Sequence, residues 1–123
     1  MERAKQEELR KIEEEIKKAE KPGIMHSLGS LVVNLADQDA ATFLKISITL
    51  ELDNLQVQQQ VDQRLPKIKD AIISLISSKT SNEIKTPEGQ ERLKEEILKR
   101  TNAILPAGGV RSVYFTEFII QSS

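Results

Sequence analysis

The spacing of apolar residues changes character several times along the chain. Leu44, Ile46, Ile48, Leu50 and Leu52 alternate with Lys45, Ser47, Thr49, Glu51 and Asp53. Strict period two over that length predicts a strand with one buried and one wet face. Upstream, residues 28–36 (LGSLVVNLA) are apolar and β-branched and predict a first strand, with Asp37, Gln38 and Asp39 as the turn between the two. The period then becomes helical. Val57, Val61, Leu65, Ile68, Ile72 and Leu75 recur every three or four residues, and Ile73 and Ile76 widen the stripe. Pro66 falls inside it and predicts a kink, or a break with a second helix restarting there. Residues 77–85 are polar and predict a loop with one short turn.

Thr86-Pro87-Glu88 has the chemistry of a helix start: a side-chain cap, a proline at the first helical position, and an acid near the positive end of the dipole. That helix is expected to run to about Ile104, burying Leu93, Ile97 and Leu98, and to stop at Leu105–Gly109. The final segment, Val110–Gln121, carries Val113, Tyr114, Phe115, Phe118, Ile119 and Ile120. Apolar residues at both parities predict a central strand.

Residues 2–21 differ from all of this. About two-thirds of them are charged, acids and bases in equal number. Glu7 and Lys11, Glu13 and Lys17, and Glu14 and Lys18 stand at i,i+4 with the acid first, the favourable order for a helix. Leu9, Ile12, Ile16 and Ala19 form a thin seam at heptad spacing. Two heptads do not hold a coiled coil by themselves. The segment therefore reads as a solvated helix or linker, or as a helix stabilised when several copies come together. Pro22-Gly23 closes it and divides the chain into a charged helical stalk, 1–22, and a body, 23–123. The fold class expected is α/β (α+β): a two-layer sandwich of three antiparallel or mixed strands with two main helices on one face, preceded by the charged helix.

Composition narrows the function classes. The chain has 123 residues, a net charge of −1 and few aromatics, so neither overall charge nor stacking platforms draw it to nucleic acid. It has no cysteine, which removes thiol nucleophiles, thiolate metal sites and disulfides together. No apolar run approaches the roughly 20 residues of a membrane helix, and the chain reads as a soluble piece of something longer.

Candidate chemistry is thin. His26 is the one histidine, expected on a mobile entry segment beside Pro22-Gly23, with Ser27 and Ser30 near it only in sequence. Asp37 and Asp39 flank a turn, where Asp ordinarily bonds its own backbone. Gly108-Gly109 follows a helix and precedes a strand, the reverse of a phosphate-cradling order. No enzyme is expected, and no cofactor or metal. Contact remains: the wet face of the second strand (Lys45, Ser47, Thr49, Glu51) suits reversible contacts, and the first strand, with Val32, Val33 and Leu35, is the expected sticky edge.

Several segments in order resemble a known family. These are Leu31–Asp37 (LVVNLAD), Phe43–Ile46, Arg64–Ile73 (RLPKIKDAII), Leu75–Thr80, Thr86–Gly89, Leu93-Lys94 and, most specific, Val113–Gln121 (VYFTEFIIQ). Together they resemble the periplasmic domain of the flagellar basal-body-associated protein FliL. The resemblance implies a stomatin/SPFH-like fold and a non-enzymatic motor accessory role. It implies a homo-oligomeric ring around the flagellar stator, on the periplasmic side of the inner membrane. The implied partners are MotB-like and MotA-like stator proteins, with the MS ring as a further contact, and the ring would favour the open, ion-conducting stator. A membrane helix would precede this chain and residues 2–21 would be the stalk. Leu9, Ile12 and Ile16 on the stalk and Lys45, Thr49 and Glu51 on the sheet are the expected oligomer or partner contacts. Two rival readings are a stomatin-like scaffold unrelated to flagella and a small-ligand or peptide sensor, which would need a sizeable apolar pocket.

Overall fold

The computed structural model describes residues 2–122, without the side chains of residue 2 and residues 17–20. The elements run α1 (Glu2–Glu20), β1 (Ile24–Asn34), β2 (Thr42–Leu52), α2 (Leu55–Gln63), α3 (Leu65–Ser77), α4 (Ser81–Ile84), α5 (Pro87–Ile104) and β3 (Val110–Ser122). The strands form one antiparallel sheet in the order β1-β2-β3. Helices α2, α3 and α5 cover one face, giving the two-layer α+β sandwich expected from the element order.

Strand β2 is the backbone of the core. Leu44, Ile46, Ile48, Leu50 and Leu52 are all fully buried against Val61, Ile68, Ile72, Ile76, Leu93 and Ile97 of the helices. The alternation read from the sequence is thus the two faces of this strand, helix-side and open. The long helical stripe is two helices, because Pro66 cannot donate to the preceding turn and α3 restarts around it. Asn54 caps α2 by accepting from the Val57 amide, and Thr86 caps α5 by accepting from Gly89. The polar 77–85 segment contains the single turn α4, closed by a capping box between Thr80 and Glu83.

Two expectations are corrected. Strand β3 is not central; it is an edge strand, and β2 holds the middle. Its apolar residues at both parities come from register changes: bulges fall at Arg111 and Thr116, which have no opposite partner on β2. Each extra residue flips the face that follows. Val113, Phe115, Phe118 and Ile120 therefore all sit opposite helix-side residues of β2, and Phe115 and Phe118 stack with ring centroids 5.5 Å apart. Tyr114 and Ile119 point to the open face.

Strand β1 begins at Ile24 rather than residue 28, and it too is bulged, between Ser27 and Gly29. Gly29 has φ +81° and Ser27 Oγ accepts from its amide. Only glycine takes that backbone region without strain. The parity switch lets Ile24, His26 and Leu28 face the helices before the bulge, and Leu31, Val33 and Leu35 after it.

Candidate functional site

His26 lies in β1, not on a mobile entry segment. It pairs with Leu50 on the helix-side face of the sheet and its ring is enclosed by α2. Nε2 stands 3.0 Å from Asp62 Oδ1, and Nδ1 is 3.2 Å from Gln58 Nε2. An Nε2–H tautomer satisfies both contacts, donating to the carboxylate and accepting from the amide. A carboxylate orienter is present, yet the second nitrogen faces an amide and not a nucleophile. Ser27 and Ser30 pair with Thr49 and Ser47 on the opposite face, so the sheet itself separates them from His26. The arrangement is a clasp between β1 and α2.

Asp37 is likewise occupied. Its carboxylate accepts from the Ser81 amide at 2.7 Å and the Ser81 hydroxyl at 2.5 Å, tying the β1–β2 connection to the start of α4. These bonds, the hydroxyl first, hold its pKa below the ordinary value. Among the described residues no group of three or more His, Asp or Glu side chains converges as for a metal ion. The recesses are shallow. One of about 60 Å³ lies between α4 and α5 beside Lys79 and Glu96. Another of about 300 Å³ is lined by Asp53, Asn54, Gln56 and Gln60 with Val57 and the Pro106–Gly109 turn. Neither is the apolar chamber a small-ligand sensor requires.

Two surfaces remain. The first is the open face of the sheet. Lys45, Thr49 and Glu51 all lie on it, flanked by Val32 and Met25 of β1 and by Tyr114 and Ile119 of β3. One cross-strand row reads Val32, Lys45, Ile119, and Val32 is 64% exposed. Of the expected sticky edge only Val32 is outward; Val33 and Leu35 are core. Lys45 is exposed and loosely paired with Glu117 at 3.9 Å.

Glu51 has other employment. It accepts from the Tyr114 hydroxyl at 2.7 Å and lies 3.9 Å from Arg111 Nη1, its side chain mostly covered. Arg111 in turn donates to Asp53 Oδ1 and to the Lys21 carbonyl, both at 2.6 Å. Gly23 packs over Glu51 so closely that a Cβ would lie 2.4 Å from Glu51 Cγ. Arg111 therefore fastens the α1–β1 connection to the sheet. The sequence showed only a helix-breaking Pro-Gly there; no local pattern announces a bulge arginine ninety residues away.

The second surface is α1. Every described side chain from Arg3 to Ile16 is exposed, and Leu9, Ile12 and Ile16 are each at least 50% exposed along one side. The α1 seam and the sheet residues thus occupy separate surfaces, joined at the Arg111 fastening.

Fold and surfaces together define a class: a small α+β domain with a one-sided sheet, a bare sheet face and a charged projecting helix, with no catalytic grouping among the described residues. The family model described as flagellar basal body-associated protein FliL matches residues 25–121, essentially the whole body. The chain belongs to the FliL family of flagellar basal body-associated proteins. Among its relatives, the flagellar protein FliL of Aquifex aeolicus (strain VF5) is 62% identical over 100 residues, covering 80% of this chain and 62% of that protein. The FliL protein of Bacillus subtilis (strain 168) is 29% identical over 111 residues, covering 85% and 79%. That of Escherichia coli (strain K12) is 28% identical over 102 residues, covering 80% and 65%. This chain thus spans less than two thirds of the Aquifex and Escherichia relatives. No described helix is long and apolar enough to cross a membrane.

Proposed function

We propose that this chain is the periplasmic part of an inner-membrane protein of the flagellar motor, with residues 1–22 as stalk and 23–123 as working domain. It assembles into a homo-oligomeric ring around the stator, binds the MotB-like B subunit, and stabilises the open, ion-conducting state. MotA-like subunits and the MS ring are neighbours in this arrangement. The observation that carries the reading is the family match over residues 25–121. The bare sheet face, with its Val32–Lys45–Ile119 row, supports it by supplying a contact surface outside the core.

The mechanism is binding energy, not chemistry. A ring favours the open stator only to the extent that it binds that state more tightly than the plugged one. Moving a two-state equilibrium from 1:99 to 99:1 takes about 5.5 kcal/mol of such difference, which many small subunit contacts can supply together.

The test is the mass of this chain in solution by light scattering over a concentration series, with and without residues 1–21. A closed species larger than a monomer is expected. A monomer at every concentration removes self-assembly of this chain from the proposal. Cross-linking from the sheet face to a MotB-like subunit in cells tests the partner separately.

A further inference from the structure

The charges on α1 are sorted around the seam. With Leu9 and Ile16 at heptad position a and Ile12 at d, the flanking g positions are Glu8 and Glu15 and the flanking e positions are Gln6 and Glu13. Arg3, Arg10 and Lys11 fall at b and c, away from the seam. All of these side chains are exposed, so burial against the body does not account for the sorting. In coiled coils the e and g residues meet across the interface and choose the partner. A parallel pairing of two copies of α1 sets Glu8 against Glu13 of the other copy. An antiparallel pairing sets Glu8 against Glu15. Both orientations oppose like charges, which is how sequences exclude a wrong partner. Lys5, one turn before Leu9 at a d position, is the sole base on the seam side and does not offset them.

We propose that the α1 seam docks a partner helix of opposite pattern, an apolar seam flanked by Lys or Arg, and that its acidic flanks keep neighbouring stalks from zipping together. This goes beyond ring assembly by the body. It assigns the stalk to another protein's basic amphipathic helix, with Leu9, Ile12 and Ile16 as the apolar contacts and Glu8, Glu13 and Glu15 as the selectors.

The experiment uses the full chain, isotope-labelled, with its α1 amide signals followed by NMR during titration with three-heptad peptides. The peptides share one Ile/Leu seam and carry either Lys or Glu at every e and g position; a third keeps the Lys but has Ser in the seam. The expected result is that the Lys-flanked peptide shifts the residue 6–16 amides at about tenfold lower concentration than the Glu-flanked one, about 1.4 kcal/mol spread over several reversed charge contacts. The Glu8→Lys, Glu13→Lys, Glu15→Lys triple variant is expected to reverse that preference. Equal shifts with both peptides, or none with either, overturn the proposal. Equal shifts with the Ser-seam peptide reduce it to loose charge attraction and overturn the docking. Shifts of the wild-type α1 amides on raising its own concentration, absent in the triple variant, would show the stalks pairing and overturn it too. Ring assembly is tested separately, by the mass of the chain with and without residues 1–21, which these titrations leave untouched.

Discussion

Val32 and Val33 are neighbours with the same side chain, and the structure gives them opposite tasks. Val32 is 64% exposed on the open face and Val33 is 3% exposed in the core. Replacing Val33 with Ala is expected to cost about 2 kcal/mol, from lost burial and the void left behind. The same change at Val32 is expected to stay within about 0.5 kcal/mol; urea denaturation of both variants checks the contrast. Asp37 adds a pH-dependent case. Because its folded-state pKa is depressed, its stabilising contribution is fully present above its ordinary unfolded value and is lost as pH falls through the lowered folded value. Wild type should therefore lose its advantage over Asp37→Asn as the pH enters the acid range, with the urea midpoints of the two converging. A midpoint difference that stays constant across the titration would show that the Ser81 bonds matter only through shape.

At the scale of elements, α1 and the body are joined by one side chain more than by packing. Arg111 reaches Asp53, the Lys21 carbonyl and, at 3.9 Å, Glu51 from a bulge in β3, with both carboxylates mostly shielded. Charge-assisted bonds of this kind contribute about 2 kcal/mol. Arg111→Ala is expected to destabilise the body by about that much and to loosen the stalk root. A spin label on Lys11 should then tumble faster, while α1 helicity is unchanged. If the body weakens and the label does not, Arg111 serves β3 alone. The paired predictions separate fastening from folding because α1 buries none of its described side chains.

At the scale of the whole molecule, one layer of helices leaves one sheet face to meet something else. Placing lysines at Val32 and Ile119, beside Lys45, should leave the melting temperature within a few degrees of wild type, since both sites are exposed. It should also weaken assembly several-fold in the light-scattering series, because like charges then crowd one row of the proposed contact. Unchanged assembly would move the contact to an edge strand or to the helical layer.

Periodicity determined a good deal by itself. The β2 alternation, the helical stripe, the restart at Pro66 and the Thr86-Pro87 start are local chemistry, and each element lies where that chemistry puts it. The charged helix α1 and its apolar side were legible for the same reason, since a helix's faces follow from its own spacing. Tertiary structure decided the rest. Strand order is not legible from the sequence, because apolar residues at both parities look alike whether a strand is central or bulged. The bulges after Ser27 and at Arg111 and Thr116 are single-residue events without a local signature, yet each reverses every side chain beyond it. They put His26 under α2, hid Val33 while exposing Val32, and brought Arg111 to the stalk root. Such assignments depend on which residue stands opposite across a ladder, and that pairing exists only once the sheet has formed.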